Sequence, residues 1–150
     1  MRKAILLFSA MLVMLALGSG AALADVFTGT DGSDTYWGPV DDDSITGLGG
    51  NDFLVGDPTP YGAGGDDLVS GGAGDDNVSE GPPFDASTDI VFGGAGDDLI
   101  DAFNEPPVMD IVYCGPGDDL VYADGLDNLV GCEEVILGPE PDPWDRVHLN

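Results

Sequence analysis

A nine-residue period constrains this chain more than any other property of its sequence. Gly71-Gly72-Ala73-Gly74-Asp75-Asp76-Asn77-Val78-Ser79 follows the pattern Gly-Gly-x-Gly-x-Asp-x-U-x, where U is a large apolar residue. Gly93 to Asp101 repeats it in full, and Cys114 to Tyr122 repeats it with Cys in place of the first glycine. Looser copies begin at Gly29, Gly38, Gly47 and Gly62, and degenerate ones at Phe84, Glu105 and Ala123, making ten units. The sixth position reads Asp34, Asp43, Asp52, Asp67, Asp76, Asp89, Asp98, Asp110, Asp119 and finally Asn128. The eighth reads Tyr36, Ile45, Leu54, Val69, Val78, Val91, Ile100, Val112, Val121 and Val130. A fixed period of this kind marks a solenoid, in which each repeat buries its apolar side chain only by stacking on its neighbours.

Six turn residues followed by three with strand propensity point to β-structure. A helix is excluded, because each glycine in its interior would cost about 1 kcal/mol and no stretch carries a 3.6-residue pattern. Two nonapeptides make one coil, so residue i stacks on residue i+18. The expected fold is all-β: a parallel β-roll of about five coils, its core a thin column of eighth-position side chains between two parallel sheets. Alternate units fall on opposite edges. Edge A takes the units at Gly29, Gly47, Gly71, Gly93 and Cys114, and edge B those at Gly38, Gly62, Phe84, Glu105 and Ala123. Three insertions, Gly56 to Tyr61, Glu80 to Pro83 and Ala102 to Asn104, each precede an edge B unit and are expected to bulge there without disturbing the stack. The turns Phe84 to Asp89 and Glu105 to Asp110 have lost their glycines, and with them easy access to positive φ, so they are not expected to hold a full ion site.

The cysteines test the register independently. Cys114 and Cys132 are 18 residues apart, both at position one of edge A units. Stacked strands lie ~4.7–4.9 Å apart, within the usual Cα separation of a disulfide, ~4.4–6.8 Å. A Cys114–Cys132 bridge is therefore expected, fastening the last complete coil to a capping strand, Glu133 to Leu137, that closes the end of the core.

Charge decides what the turns need. The chain has 29 acidic residues against 3 Lys or Arg, for a net charge of −26. This excludes binding to nucleic acid or anionic membrane, which requires clustered cations. With 43% hydrophobic residues it is no disordered acidic tail either. On edge A, Asp34, Asp52, Asp76, Asp98 and Asp119 occupy consecutive coils, with Asp75, Asp97 and Asp118 beside three of them as further candidate metal ligands. At the stacking distance one bare pair repels by about 3–4 kcal/mol at an effective dielectric of 20, so several would exceed a typical domain stability of ~5–15 kcal/mol. One arginine, Arg146, cannot compensate, so the positive charge must come from solvent. Carboxylates and carbonyls in flexible turns favour Ca²⁺ over Mg²⁺, and zinc would want His or Cys clusters where only His148 exists. Up to four ions are expected on edge A, between Asp34/Asp52, Asp52/Asp76, Asp76/Asp98 and Asp98/Asp119, with one more on edge B between Asp43 and Asp67. The spacing of an EF-hand loop is absent.

From about residue 29 to 131 the chain resembles the hemolysin-type calcium-binding repeat family, the RTX β-roll. The resemblance implies a right-handed roll with Ca²⁺ bound between stacked turns. Some relatives append such repeats to toxins, proteases or lipases, but here the repeats are nearly everything.

Met1-Arg2-Lys3, the apolar run Ala4 to Leu17 and the Ala22-Leu23-Ala24 site read as a signal peptide over residues 1–24, which implies secretion to the extracellular space. The β-roll with its cap then spans 25–137, and a Pro-rich tail 138–150. An amino-terminal signal departs from the toxin branch of the family, so neither pore formation nor membrane insertion is expected. No Gly-x-Ser-x-Gly or His-Glu-x-x-His motif occurs, and no catalytic residue is assigned. The primary expectation is a secreted calcium-binding module, the alternative a calcium-dependent adhesin. For the latter, seventh-position residues Leu68, Ile90, Ile111 and Leu129 form an outward apolar stripe on one sheet, flanked by Phe92 and Tyr113. A partner, a second copy, the tail with Trp144, or solvent are the alternatives for what meets that stripe.

Overall fold

The structure is a computed structural model that describes residues 24–58, 64–84 and 86–139. The expected signal peptide up to residue 23, the start of the unit at Gly62 and the tail from Glu140 onward, with Trp144 and His148, lie outside the described residues. Twelve strands follow one another: β1 Val26–Thr28, β2 Thr35–Trp37, β3 Ser44–Gly49, β4 Phe53–Val55, β5 Leu68–Ala73, β6 Asn77–Ser79, β7 Ile90–Ala95, β8 Leu99–Ala102, β9 Ile111–Tyr113, β10 Leu120–Ala123, β11 Asn128–Val130 and β12 Glu134–Leu137. Odd-numbered strands form one six-stranded sheet in the order β1-β3-β5-β7-β9-β11, and even-numbered strands the other, β2-β4-β6-β8-β10-β12. Every neighbouring pair is parallel. This is the expected roll.

Register follows the eighth position. Ile45 pairs with Val69, Val69 with Val91 and Val91 with Val112 in the odd sheet, and Leu54 with Val78, Val78 with Ile100 and Ile100 with Val121 in the even one. These side chains are fully buried and form the single core column. The seventh and ninth positions face out, because successive residues of a strand point to opposite faces. Leu68, Phe92 and Tyr113 are accordingly exposed, with the Phe92 and Tyr113 rings stacked at 4.9 Å.

The last edge B unit is one residue shorter than expected. Ile111 pairs with Asn128, Val112 with Leu129 and Tyr113 with Val130. Asp127, not Asn128, thus takes the sixth position, and Leu129, not Val130, faces the core, where it packs against the buried column while Val130 is 43% exposed. Leu129 therefore leaves the proposed outward stripe. The cause is the tight turn: the Asp124 N–H donates to Asp127 Oδ2 and Asp124 Oδ1 accepts the Leu126 N–H, so the turn closes one residue early. Cys132 consequently falls one place beyond position one, yet it is bridged to Cys114 with a Cα separation of 5.2 Å.

A second shift concerns the insertions. Gly56 pairs through its N–H with Ser79 O, Glu80 with Asp101 O, and Ala123 is in register with Ala102. Gly56, Glu80 and Ala102 are thus position-one residues continuing their strands, and the extra residues begin after them, inside the edge B turns. The two ends differ also. At the start, Phe27 stacks on Tyr36 at 4.0 Å and covers the column. At the finish, β12 pairs with β10, but its inward Val135 remains 42% exposed. The Glu133 to Leu137 segment extends the even sheet without sealing the core, because nothing stacks on it among the described residues.

Ile100 is the test of the column. Ile100→Ala should cost about 2–5 kcal/mol in denaturant unfolding of the folded roll, whereas Leu68→Ala on the outer face should change stability by less than ~1 kcal/mol.

Candidate metal centre

The sixth-position aspartates of edge A form a ladder. The N–H of Asp34 donates to Asp52 Oδ1 (2.8 Å), that of Asp52 to Asp76 Oδ1 (2.8 Å), that of Asp76 to Asp98 Oδ1 (2.9 Å) and that of Asp98 to Asp119 Oδ1 (2.9 Å). Glu133 ends the column, its Oε2 accepting the Asp119 N–H at 3.2 Å. Edge B repeats the arrangement: Asp25 N–H to Asp43, Asp43 to Asp67, Asp67 to Asp89, Asp89 to Asp110 and Asp110 to Asp127. Each carboxylate is thereby fixed by the coil before it.

The second oxygen is left without a donor. Oδ2 of Asp52, Asp76, Asp98 and Asp119 on edge A, and of Asp43 and Asp67 on edge B, is buried and accepts no hydrogen bond. In every one of these but Asp119, whose unit begins with Cys114, it turns toward the position-one glycine of its own unit. A methyl group on Gly93 would lie 2.6 Å from Asp98 Oδ2 and 2.7 Å from the Cys114 carbonyl oxygen. The missing side chain therefore leaves room in which a carboxylate oxygen and a main-chain carbonyl of the next coil converge. Gly47 and Gly71 stand in the same relation to Asp52 and Asp76 and to the carbonyls of Gly71 and Gly93. At Gly94 the second requirement of the motif is met: φ is 124°, and a Cβ would strike the Gly72 carbonyl of the coil below.

Only acceptors meet at these points, and the described residues contain no Lys, Arg or His. Burial pushes the Asp76 and Asp98 carboxyls up to about 6, the charges of Asp52 and Asp75 adding at the first and of Asp76 and Asp119 at the second, against the lowering effect of the ladder N–H. Asp67 rises to about 8, mainly through burial and then through Asp57, Asp89 and Asp43. Asp43 and Asp119 are raised by burial in the same way. A set of buried oxygen acceptors that resists ionisation for want of positive charge suits a hard divalent cation, Ca²⁺ above all.

Asp34 sits half-buried at the open end, its Oδ2 accepting from the Thr30 N–H and hydroxyl. Asp75, Asp97 and Asp118 are exposed and build an outer ladder of opposite polarity: Asp75 Oδ1 accepts the Asp97 N–H and Asp97 Oδ1 the Asp118 N–H. The structure thus brings Asp52, Asp76, Asp98 and Asp119 together along one interior edge and sets Asp75, Asp97 and Asp118 outside it. Sequence reasoning missed Asp25 and Asp127 as rungs, Glu133 as terminus, and Glu80, whose inward direction follows from the alternation Asn77 out, Val78 in, Ser79 out, Glu80 in.

The RTX calcium-binding nonapeptide repeat matches the chain in four copies, over residues 28–58, 61–79 and 85–104. No curated protein and no solved structure matches it.

The raised carboxyls fix the sign of the pH response without metal. Asp76, Asp98 and Asp67 bind protons more tightly folded than unfolded, so acid favours the fold. In chelator, β-sheet circular dichroism should grow as pH falls from 8 through 6, level off below about pH 4, and shrink again on return to pH 8. A metal-free signal that weakens on acidification would contradict the ladder's desolvation.

Proposed function

Because this chain belongs to the family of RTX calcium-binding nonapeptide repeat proteins, we propose that it is a secreted module that folds on binding calcium outside the cell. The observation that carries the reading is the row of buried Oδ2 atoms at Asp52, Asp76, Asp98 and Asp119, each without a donor. Calcium bound there would supply the charge that the ladder lacks. Asp34, Asp52, Asp76, Asp98 and Asp119 are the proposed ligand row on edge A, and Asp43 and Asp67, built on Gly38 and Gly56 in the same way, its counterpart on edge B. Asp75, Asp97 and Asp118 would then act as outer spacers that raise the local negative potential.

Folding and binding are one process in this reading, because the ligand oxygens come from successive coils and have no fixed relation in an unfolded chain. The leader reading of residues 1–24 and the Cys114–Cys132 bridge support an extracellular setting, where disulfides persist and calcium is abundant. The role is ion-dependent assembly rather than catalysis.

Affinity in the ~10⁻⁴–10⁻³ M range of extracellular modules is expected. Far-ultraviolet circular dichroism at pH 8 should pass from disordered in EDTA to β-rich in millimolar Ca²⁺, and calorimetry should count several ions. Asp98→Asn should lower that count. Identical spectra with and without chelator would remove the coupling.

A further inference from the structure

Edge B holds a group of three carboxylates, one of which, Glu80, the nonapeptide pattern does not describe. Glu80, Asp89 and Asp110 each place a carboxylate oxygen within 4.8 Å of the other two. All three are buried, with 1%, 1% and 0% of their surface exposed. They come from two successive edge B turns, Glu80 and Asp89 opening and closing the one between β6 and β7 and Asp110 closing the next, between β8 and β9. Glu80 continues β6 into position one, where Gly38 and Gly56 stand in the coils before, while Asp89 and Asp110 are the sixth-position rungs of the two turns that have lost their glycines. Both Glu80 carboxylate oxygens are buried without any hydrogen-bond donor. Asp89, by contrast, accepts the Asp67 N–H at Oδ1 and the Ser87 hydroxyl at Oδ2, and Asp110 Oδ1 accepts the Asp89 N–H.

We propose that Glu80, Asp89 and Asp110 form a buried calcium site on edge B, separate from the glycine-rich turns. A glutamate replaces the glycine of position one and reaches inward to supply the oxygen that a regular turn draws from its own geometry. Three anionic oxygens in a dry interior call for a cation of charge two or more. Carboxylates drawn from turns of irregular length favour Ca²⁺, with its flexible coordination, over Mg²⁺, which demands octahedral geometry, and an all-oxygen donor set disfavours zinc. The same burial, with the charges of Asp110 and Asp89 beside it, raises the Glu80 carboxyl well above its ordinary range when no ion is bound. The site extends the reading of the preceding subsection but shares no residue with edge A.

Ion counting on the purified protein by native mass spectrometry in Ca²⁺ tests it. Glu80→Gln and Asp110→Asn should each lose one ion, and the double variant should lose that same one ion and no more. Glu80→Gln combined with Asp98→Asn should lose more than either alone. An unchanged count for Glu80→Gln, the outcome if the carboxyl is simply protonated in place, overturns the proposal, as does a loss of two in the Glu80/Asp110 pair. On the unaltered protein, Eu³⁺ luminescence lifetimes in H₂O and D₂O should reveal one class of site with no coordinated water; its absence overturns the proposal even where the variants do not fold. An ion lost on Glu80→Gln but none on Asp98→Asn would uphold this site while removing the one on edge A.

Discussion

The hydrogen bond from each sixth-position N–H to the aspartate of the next coil governs this molecule. It holds the coils at strand spacing on both edges, from Asp34 to Glu133 on one and from Asp25 to Asp127 on the other. A charge-assisted bond of this kind contributes roughly 1.5–3 kcal/mol, while burying an ionised carboxylate with one oxygen unsatisfied costs several. The ladder therefore cannot stand on its own hydrogen bonds when fully ionised. The contact that sets the spacing also creates the demand for positive charge, and proton or cation must meet it. The spacing of the coils and the demand for compensating charge have one origin here.

The two edges answer that demand differently, and the reason lies in where extra residues enter. Edge A turns carry none, so Gly47, Gly71 and Gly93 stay aligned over one another and the carbonyl of each next unit falls beside the aspartate. Edge B admits its insertions after position one. Up to Gly56 the glycine persists and Asp67 is built like Asp76. From Glu80 onward the position-one residues are Glu80, Ala102 and Ala123, and the alanines are simply buried in the core. Glu80 is the one place where the loss of glycine is answered by a new acidic group instead of an apolar one.

The nine-residue period made the sheets, their parallel pairing and the core column legible, because positions six and eight are chemically distinct and recur in nearly every unit. Legibility ended where neighbours are chemically alike. Asp127 and Asn128 both suit position six, and Leu129 and Val130 both suit position eight, so only the hydrogen bonds of the Asp124 turn reveal which pair is used. Glu80 was hidden for another reason. It stands at an insertion, where a period says nothing, although the two-residue alternation running through Val78 already points it inward. Disulfide pairing was readable despite the slipped register, since a displacement of one residue still leaves Cys132 within reach of Cys114.

A solenoid one side chain thick has little core at its ends, and each end is treated separately. Phe27 and Tyr36 offer broad stacked rings over Ile45 and Leu54, and the Tyr36 hydroxyl donates to Asp25 Oδ2 at 2.6 Å, tying the aromatic lid to the first rung of edge B. The opposite end uses a covalent bond. Cys114 is wholly buried in the edge A position-one row, so the bridge to Cys132 anchors the turn after β11 to the interior at the level where apolar stacking runs out. β12 then satisfies the backbone of β10 while leaving Val135 and Leu137 exposed. Because an aromatic lid resists fraying through contact area alone whereas a disulfide limits the unfolded chain directly, the carboxy-terminal coils are the ones held by a covalent tie, and the glycine-rich turns between Gly47 and Gly74 are the ones that have stacking and the ladder alone.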